Sequence, residues 1–127
     1  MAEKINDVKT DIVTTKNKLP VNRIAPEGEV DLYSSPKLRK KLIEFTETQT
    51  LAILVDLSKV KYMDSSGVAT LVEALQKVGK YGGRLKIAKL QTAVKEVFEL
   101  SRLDKVFDIY ETVDDALKAF DEHGTCE

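Results

Sequence analysis

The 127-residue chain carries 20 basic and 21 acidic residues, a net charge of −1, one Cys, one His and no Trp, and 43% of its residues are hydrophobic. That length and apolar share suit one domain with a buried core, and the balanced charge gives no electrostatic pull toward nucleic acid or an anionic membrane. The lone Cys126 excludes an internal disulfide, His123 near the end argues against a His/Cys metal site, and no apolar run nears the roughly 20 residues that span a bilayer, nor is a signal peptide visible. A soluble cytoplasmic domain is expected.

Residues 1–9 are polar and are expected to form a mobile tail, 10–121 the folded domain, and 122–127 a second tail without periodicity. Ile12 to Thr15 reads as a short strand. Residues 21–30 read as a second strand, interrupted by Pro26 and therefore an edge or bulged strand, joined to the first by Lys16-Asn17-Lys18. Ser34-Ser35-Pro36 predicts a helix start with a hydroxyl cap and Pro in the first turn, and Leu38, Leu42 and Phe45 mark its inner face. Leu51 to Leu57 is an uninterrupted apolar run, the pattern of a central strand or one covered on both sides.

Asp64-Ser65-Ser66-Gly67 then opens a strongly periodic helix whose inner face is Val68, Leu71, Val72, Leu75 and Val78, ended by Gly79 and Gly82-Gly83. Arg84 to Ala88 predicts a strand. Thr92 predicts the cap of a third helix, with Val94, Val97, Phe98 and Leu100 inward. Val106 to Tyr110 predicts the last strand. Thr112-Val113-Asp114-Asp115 has the form of a capping box, followed by a fourth helix burying Val113, Ala116, Leu117 and Phe120. After the opening hairpin, strands and helices alternate, which implies right-handed crossovers and a largely parallel sheet. In such sheets the loops at the strands' carboxyl ends gather functional groups, and 57–66 is such a loop.

A serine at a helix N-terminus can cap the helix, bind an anion or carry a phosphate, because the first N–H groups lack helical partners and the helix dipole is positive there. Ser65 and Ser66 leave all three open. Asp64 either positions the serine for a partner or is only an acidic neighbour of the helix start. Glu29 and Asp31 line the same rim or form the turn after the second strand. Asp56 at a strand end suits acceptance of loop N–H groups. Of Tyr62 and Met63, one anchors the loop and the other faces a partner.

Gly28-Glu29-Val30-Asp31, Val55-Asp56-Leu57-Ser58 and Met63-Asp64-Ser65-Ser66-Gly67, in this order and spacing, resemble a STAS domain, above all those of bacterial anti-sigma factor antagonists. The resemblance runs from about Val21 to Phe120. It implies an α/β fold with a mixed sheet of four to five strands and about four helices, mainly on one face. It also implies a switch: a serine kinase that doubles as an anti-sigma factor phosphorylates Ser66, a phosphatase reverses this, and the unphosphorylated form binds the kinase and so releases a sigma factor. The partner-binding residues it implies are Glu29, Asp31, Tyr62, Met63, Asp64, Ser65, Ser66, Gly67 and Val68. No catalytic residue, cofactor, metal, small-molecule ligand, direct nucleic-acid contact or membrane contact is indicated. The chain departs from the family pattern at Ala25-Pro26 and at Val68-Ala69, where Leu-Gly is common.

Rival readings remain in view. STAS-like modules also serve as scaffold subunits of signalling or transport complexes without phospho-switching. Val55-Asp56-Leu57 resembles the phosphoaspartate strand end of a receiver domain, but Ile12 to Lys16 lacks the acidic pair that would hold magnesium. A hydrolase nucleophile elbow needs a general base, which His123 is poorly placed to supply.

Overall fold

The structure is a computed structural model that describes residues 5–124. Its centre is a mixed six-stranded sheet. β1 (Ile5–Thr14) and β2 (Pro20–Val30) form an antiparallel hairpin. β2 then pairs in parallel with two strands in succession. Its first half meets β3 (Ala52–Asp56) through Asn22–Ile24, and its second half meets β4 (Val60–Met63) through Gly28–Val30. β5 (Arg84–Ala88) and β6 (Asp108–Tyr110) continue the parallel sheet beyond β3.

The strand count exceeds the four to five expected, and the addition is β4, inside the stretch read as a loop. Val60 and Met63, at its two ends, are buried while Lys61 and Tyr62 between them are exposed, a pattern without the alternation by which a strand is recognised. β1 also begins earlier than expected. Residues 5–9, assigned to a mobile tail, lie in strand, because Ile5 to Lys9 pair with Gly28 to Ala25 of β2 and the Val8 side chain enters the core. An outermost strand needs apolar residues on one side only, so its polar composition hid it. Residues 1–4 lie outside the described residues. Pro26 makes β2 neither an edge nor a broken strand. It falls between the end of the β3 pairing at Ile24 and the start of the β4 pairing at Gly28.

Three helices cover one face: α1 (Ser35–Glu47), α2 (Ser65–Lys80) and α3 (Thr92–Leu100). Their main core includes Ile24, Leu38, Leu42, Ile53, Val55, Leu71, Val78, Ile87, Val94 and Phe98. Arg39 of α1 makes two 2.7 Å bonds to the Glu73 carboxylate of α2, tying these helices together at the surface. The fourth helix, α4 (Val113–Gly124), lies on the opposite face, where Ala116 and Phe120 close a second core over Val21, Ala52, Leu54 and Ala88. Ile53 and Leu54 thus point into different cores, which is why the β3 run is apolar without alternation. Thr112 caps α4 as expected, its Oγ1 accepting the Asp115 N–H at 3.0 Å. The helix runs past the boundary expected at 121, so residues 122–124 are helical rather than tail, and Cys126 lies outside the described residues.

One inward assignment and one strand start fail. Leu100, at the end of α3, is exposed, and Val106, expected to open the last strand, is exposed in the turn before β6, which starts at Asp108. One core member was not anticipated. Lys86 of β5 is fully buried, its Nζ 3.1 Å from Asp108 and 5.3 Å from the centre of the Phe120 ring. A carboxylate and aromatic faces stand in for the water it loses.

Candidate functional site

β4 delivers the chain to the start of α2, and Asp64 turns it into the helix. Asp64 adopts an extended backbone (φ −104°, ψ −170°) and is the N-cap. Its Oδ1 accepts the Ser66 N–H at 2.9 Å, the Gly67 N–H at 3.4 Å and the Ser66 hydroxyl at 2.6 Å. Neither Ser65 nor Ser66 caps the helix, so the capping reading passes to the aspartate. Ser65 is exposed and Ser66 half-buried at the surface.

The first turn of α2 sits hard against the core. A Cβ on Gly67 would lie 2.7 Å from Met63 Cγ and 2.8 Å from Val30 Cγ1, so only glycine fits. Met63, Gly67 and Val68 are buried. Expected as partner contacts, they present no side chain to a partner and instead hold the serine turn in place. Tyr62 is the exposed member of its pair and Met63 the anchor.

Across from this helix start, the turn after β2 is built on Asp31 and Ser34. Asp31 Oδ1 accepts the N–H groups of Tyr33 and Ser34 at 3.0 and 3.1 Å. The Ser34 hydroxyl donates to the Glu29 carbonyl at 2.7 Å and accepts the Asp31 N–H at 2.9 Å. Ser34 therefore serves the turn, and α1 starts with no side-chain cap, contrary to expectation. This turn pushes Leu32 and Tyr33 into solvent, 67% and 84% exposed. The sequence reading missed both. The available signal was two apolar residues between an Asx turn and a Ser-Pro helix start.

The two turns form one surface. Glu29, Asp31, Leu32, Tyr33, Tyr62 and Asp64 line a single shallow depression next to Ser66. The bond from the Ser66 hydroxyl holds the Asp64 carboxyl below the ordinary carboxylate range. Partial burial opposes this, and backbone N–H groups of Ser66, Gly67 and Leu32 assist it. The site combines a fixed negative charge, a hydroxyl bonded to it and exposed apolar side chains. Asp56 stands apart: its carboxylate accepts the Ser58 N–H at 3.0 Å, the structural role anticipated for it. Among the described residues no group of His, Cys, Asp and Glu side chains is arranged to hold a metal. A separate hollow near the carboxyl ends of β5 and β6 is lined by Lys89, Thr92, Lys95, Tyr110 and Glu111, with both charge signs and no buried polar group aimed into it.

The STAS domain family model matches residues 14–116. The anti-sigma-B factor antagonist of Bacillus subtilis is 36% identical over 103 residues, covering 81% of this chain and 91% of that protein. The crystal structure of an anti-sigma factor antagonist from Mycobacterium paratuberculosis superposes with a TM-score of 0.75 at 28% identity, covering 89% of this chain and 93% of that one. The anti-sigma factor antagonist SpoIIAA in its unphosphorylated form shares the fold, with a TM-score of 0.74 at 20% identity over 95% of this chain and all of that one.

Proposed function

The chain belongs to the STAS domain family, and we propose that it is an anti-sigma factor antagonist: a non-catalytic binding module whose docking to an anti-sigma factor with serine-kinase activity is switched by phosphate on Ser66. The observation that carries this reading is the Ser66 hydroxyl, at the surface and bonded to an ionised carboxylate at the start of α2. A phosphate adds about −1.5 to −2 charges. Here the helix N–H groups are already engaged by Asp64, so the added charge meets a like charge and raises the negative potential of the rim. Ser66 is half-buried at the surface and the turn beneath it packs on Met63 and Val30, so modification is expected to leave the core intact. The switch then acts at the interface, by repulsion and desolvation against the partner.

The kinase supplies ATP and magnesium, a phosphatase restores the hydroxyl, and sequestration of the kinase frees its sigma factor. The reading places the protein in the cytoplasm with that machinery; no helix among the described residues is long and apolar enough to cross a membrane. Ser66→Ala is expected to fold, to bind the kinase and to take up no phosphate by intact mass. Ser66→Asp is expected to bind the kinase about 1–3 kcal/mol more weakly by titration calorimetry. Equal affinity of the two variants would overturn the charge switch and leave a constitutive scaffold.

A further inference from the structure

The sheet has two unlike ends. β6 ends it with three residues, the short form that protects an edge. β1 ends it with ten residues, bonded among the described strands to β2 alone. From Asp7 to Thr14 its register with β2 is unbroken, and β1 itself contains no proline. Such an edge offers a row of backbone donors and acceptors to another strand. Ile12 adds an apolar side chain, 64% exposed, on the same strand.

Charge indicates which strand fits. Lys9 is bonded to Glu27 at 3.3 Å, and Asp11 receives two bonds from Arg23, at 2.9 and 2.7 Å. Lys9 and Asp11 are exposed and, two residues apart, share one face of the strand. An antiparallel copy of β1 centred on Thr10 sets Lys9 opposite Asp11 of the second copy, and Asp11 opposite its Lys9. The two internal ion pairs then join into a row of alternating sign, Glu27–Lys9–Asp11–Arg23, which crosses the seam and occurs twice by symmetry. A register centred on Lys9 would instead oppose two lysines. The regular ladder is therefore self-complementary in one register and repelled in the adjacent one.

We propose that β1 is a self-association edge, through which two copies of this chain pair antiparallel about Thr10 and continue the sheet from one subunit into the next. β2 separates β1 from β4 and from the Ser66 turn it carries, so both serine surfaces remain open in the pair. The proposal does not rest on the phospho-switch.

The test is sedimentation equilibrium of the unmodified protein alone, over a range of concentrations, with Lys9→Glu, Asp11→Lys and the double variant. A reversible dimer is expected. Each single reversal opposes like charges twice and should weaken dimerisation about tenfold or more. The double variant restores alternation across the seam and should recover most of the loss. Far-UV circular dichroism and thermal melting of each variant separate lost pairing from lost folding. A wild type that stays monomeric at every concentration, or a folded Lys9→Glu that dimerises as well as wild type, overturns the proposal. So does a folded double variant no better than either single one.

Discussion

Asp64 performs two tasks with one carboxylate: it caps α2 and fixes the hydroxyl of Ser66. Its lowered pKa makes the first task visible to pH. The carboxyl binds protons less tightly in the folded chain than in the unfolded one. Its contribution to stability is therefore complete above the unfolded value, about 3.9, and is lost as pH falls through the lower folded value. Asp64→Asn keeps a capping acceptor but no charge. It is expected to cost about 1 kcal/mol or less at neutral pH and to flatten the loss of stability in acid below about pH 4. Urea unfolding across a pH series reads this directly, and parallel curves for the two proteins would refute it. The sequence located this turn to the residue but assigned the cap to serine. Asp, Ser and Thr are near-equivalents at that position, and only the direction in which β4 enters the helix decides between them. It likewise counted Met63, Gly67 and Val68 among the partner contacts; at Gly67 the close approach of backbone to core side chains leaves no mark in periodicity.

At the scale of elements, the site is made where two turns meet. The turn after β2 is shaped internally by Asp31 and Ser34, and its residues line one depression with Tyr62 and Asp64. Exposed apolar side chains beside a polar rim are the usual anchors of an interface. Leu32→Ala combined with Tyr33→Ala is expected to weaken kinase binding by about 2 kcal/mol while moving the melting temperature little, because both side chains are largely in water already. Calorimetric titration and thermal melting of the same variant check the two halves of that statement. Unchanged affinity would take these residues out of the docking surface. The long periodic elements were legible: α2, the β3 run and the capped α4 stand where the pattern put them. β4 and the first half of β1 were not. Four residues are too few to show a period, and a strand with an open outer side needs little apolar content.

For the whole molecule, the order of strands and helices was enough to give a mostly parallel sheet behind an opening hairpin. The unbroken apolar run of β3 marked a central strand or one covered on both sides, but not that α1, α2 and α3 share one face while α4 alone takes the other. That division depends on crossover geometry rather than on composition. Nor did the pattern disclose Lys86, whose charge marked it for the surface until Asp108 and the Phe120 ring are set beside it. Phe120 is the largest apolar side chain of the second core, 1% exposed. Phe120→Ala is expected to cost about 3–5 kcal/mol in chemical denaturation; a loss under about 1 kcal/mol would mean that α4 is an accessory rather than half of the fold. α4 also leaves the ribosome after every strand and helix described before it. Until it emerges, Val21, Ala52 and Leu54 stay uncovered on a sheet whose other side is already complete. A premature stop before Thr112 would therefore yield a chain with a greasy flank, destined for chaperones or proteases rather than for signalling.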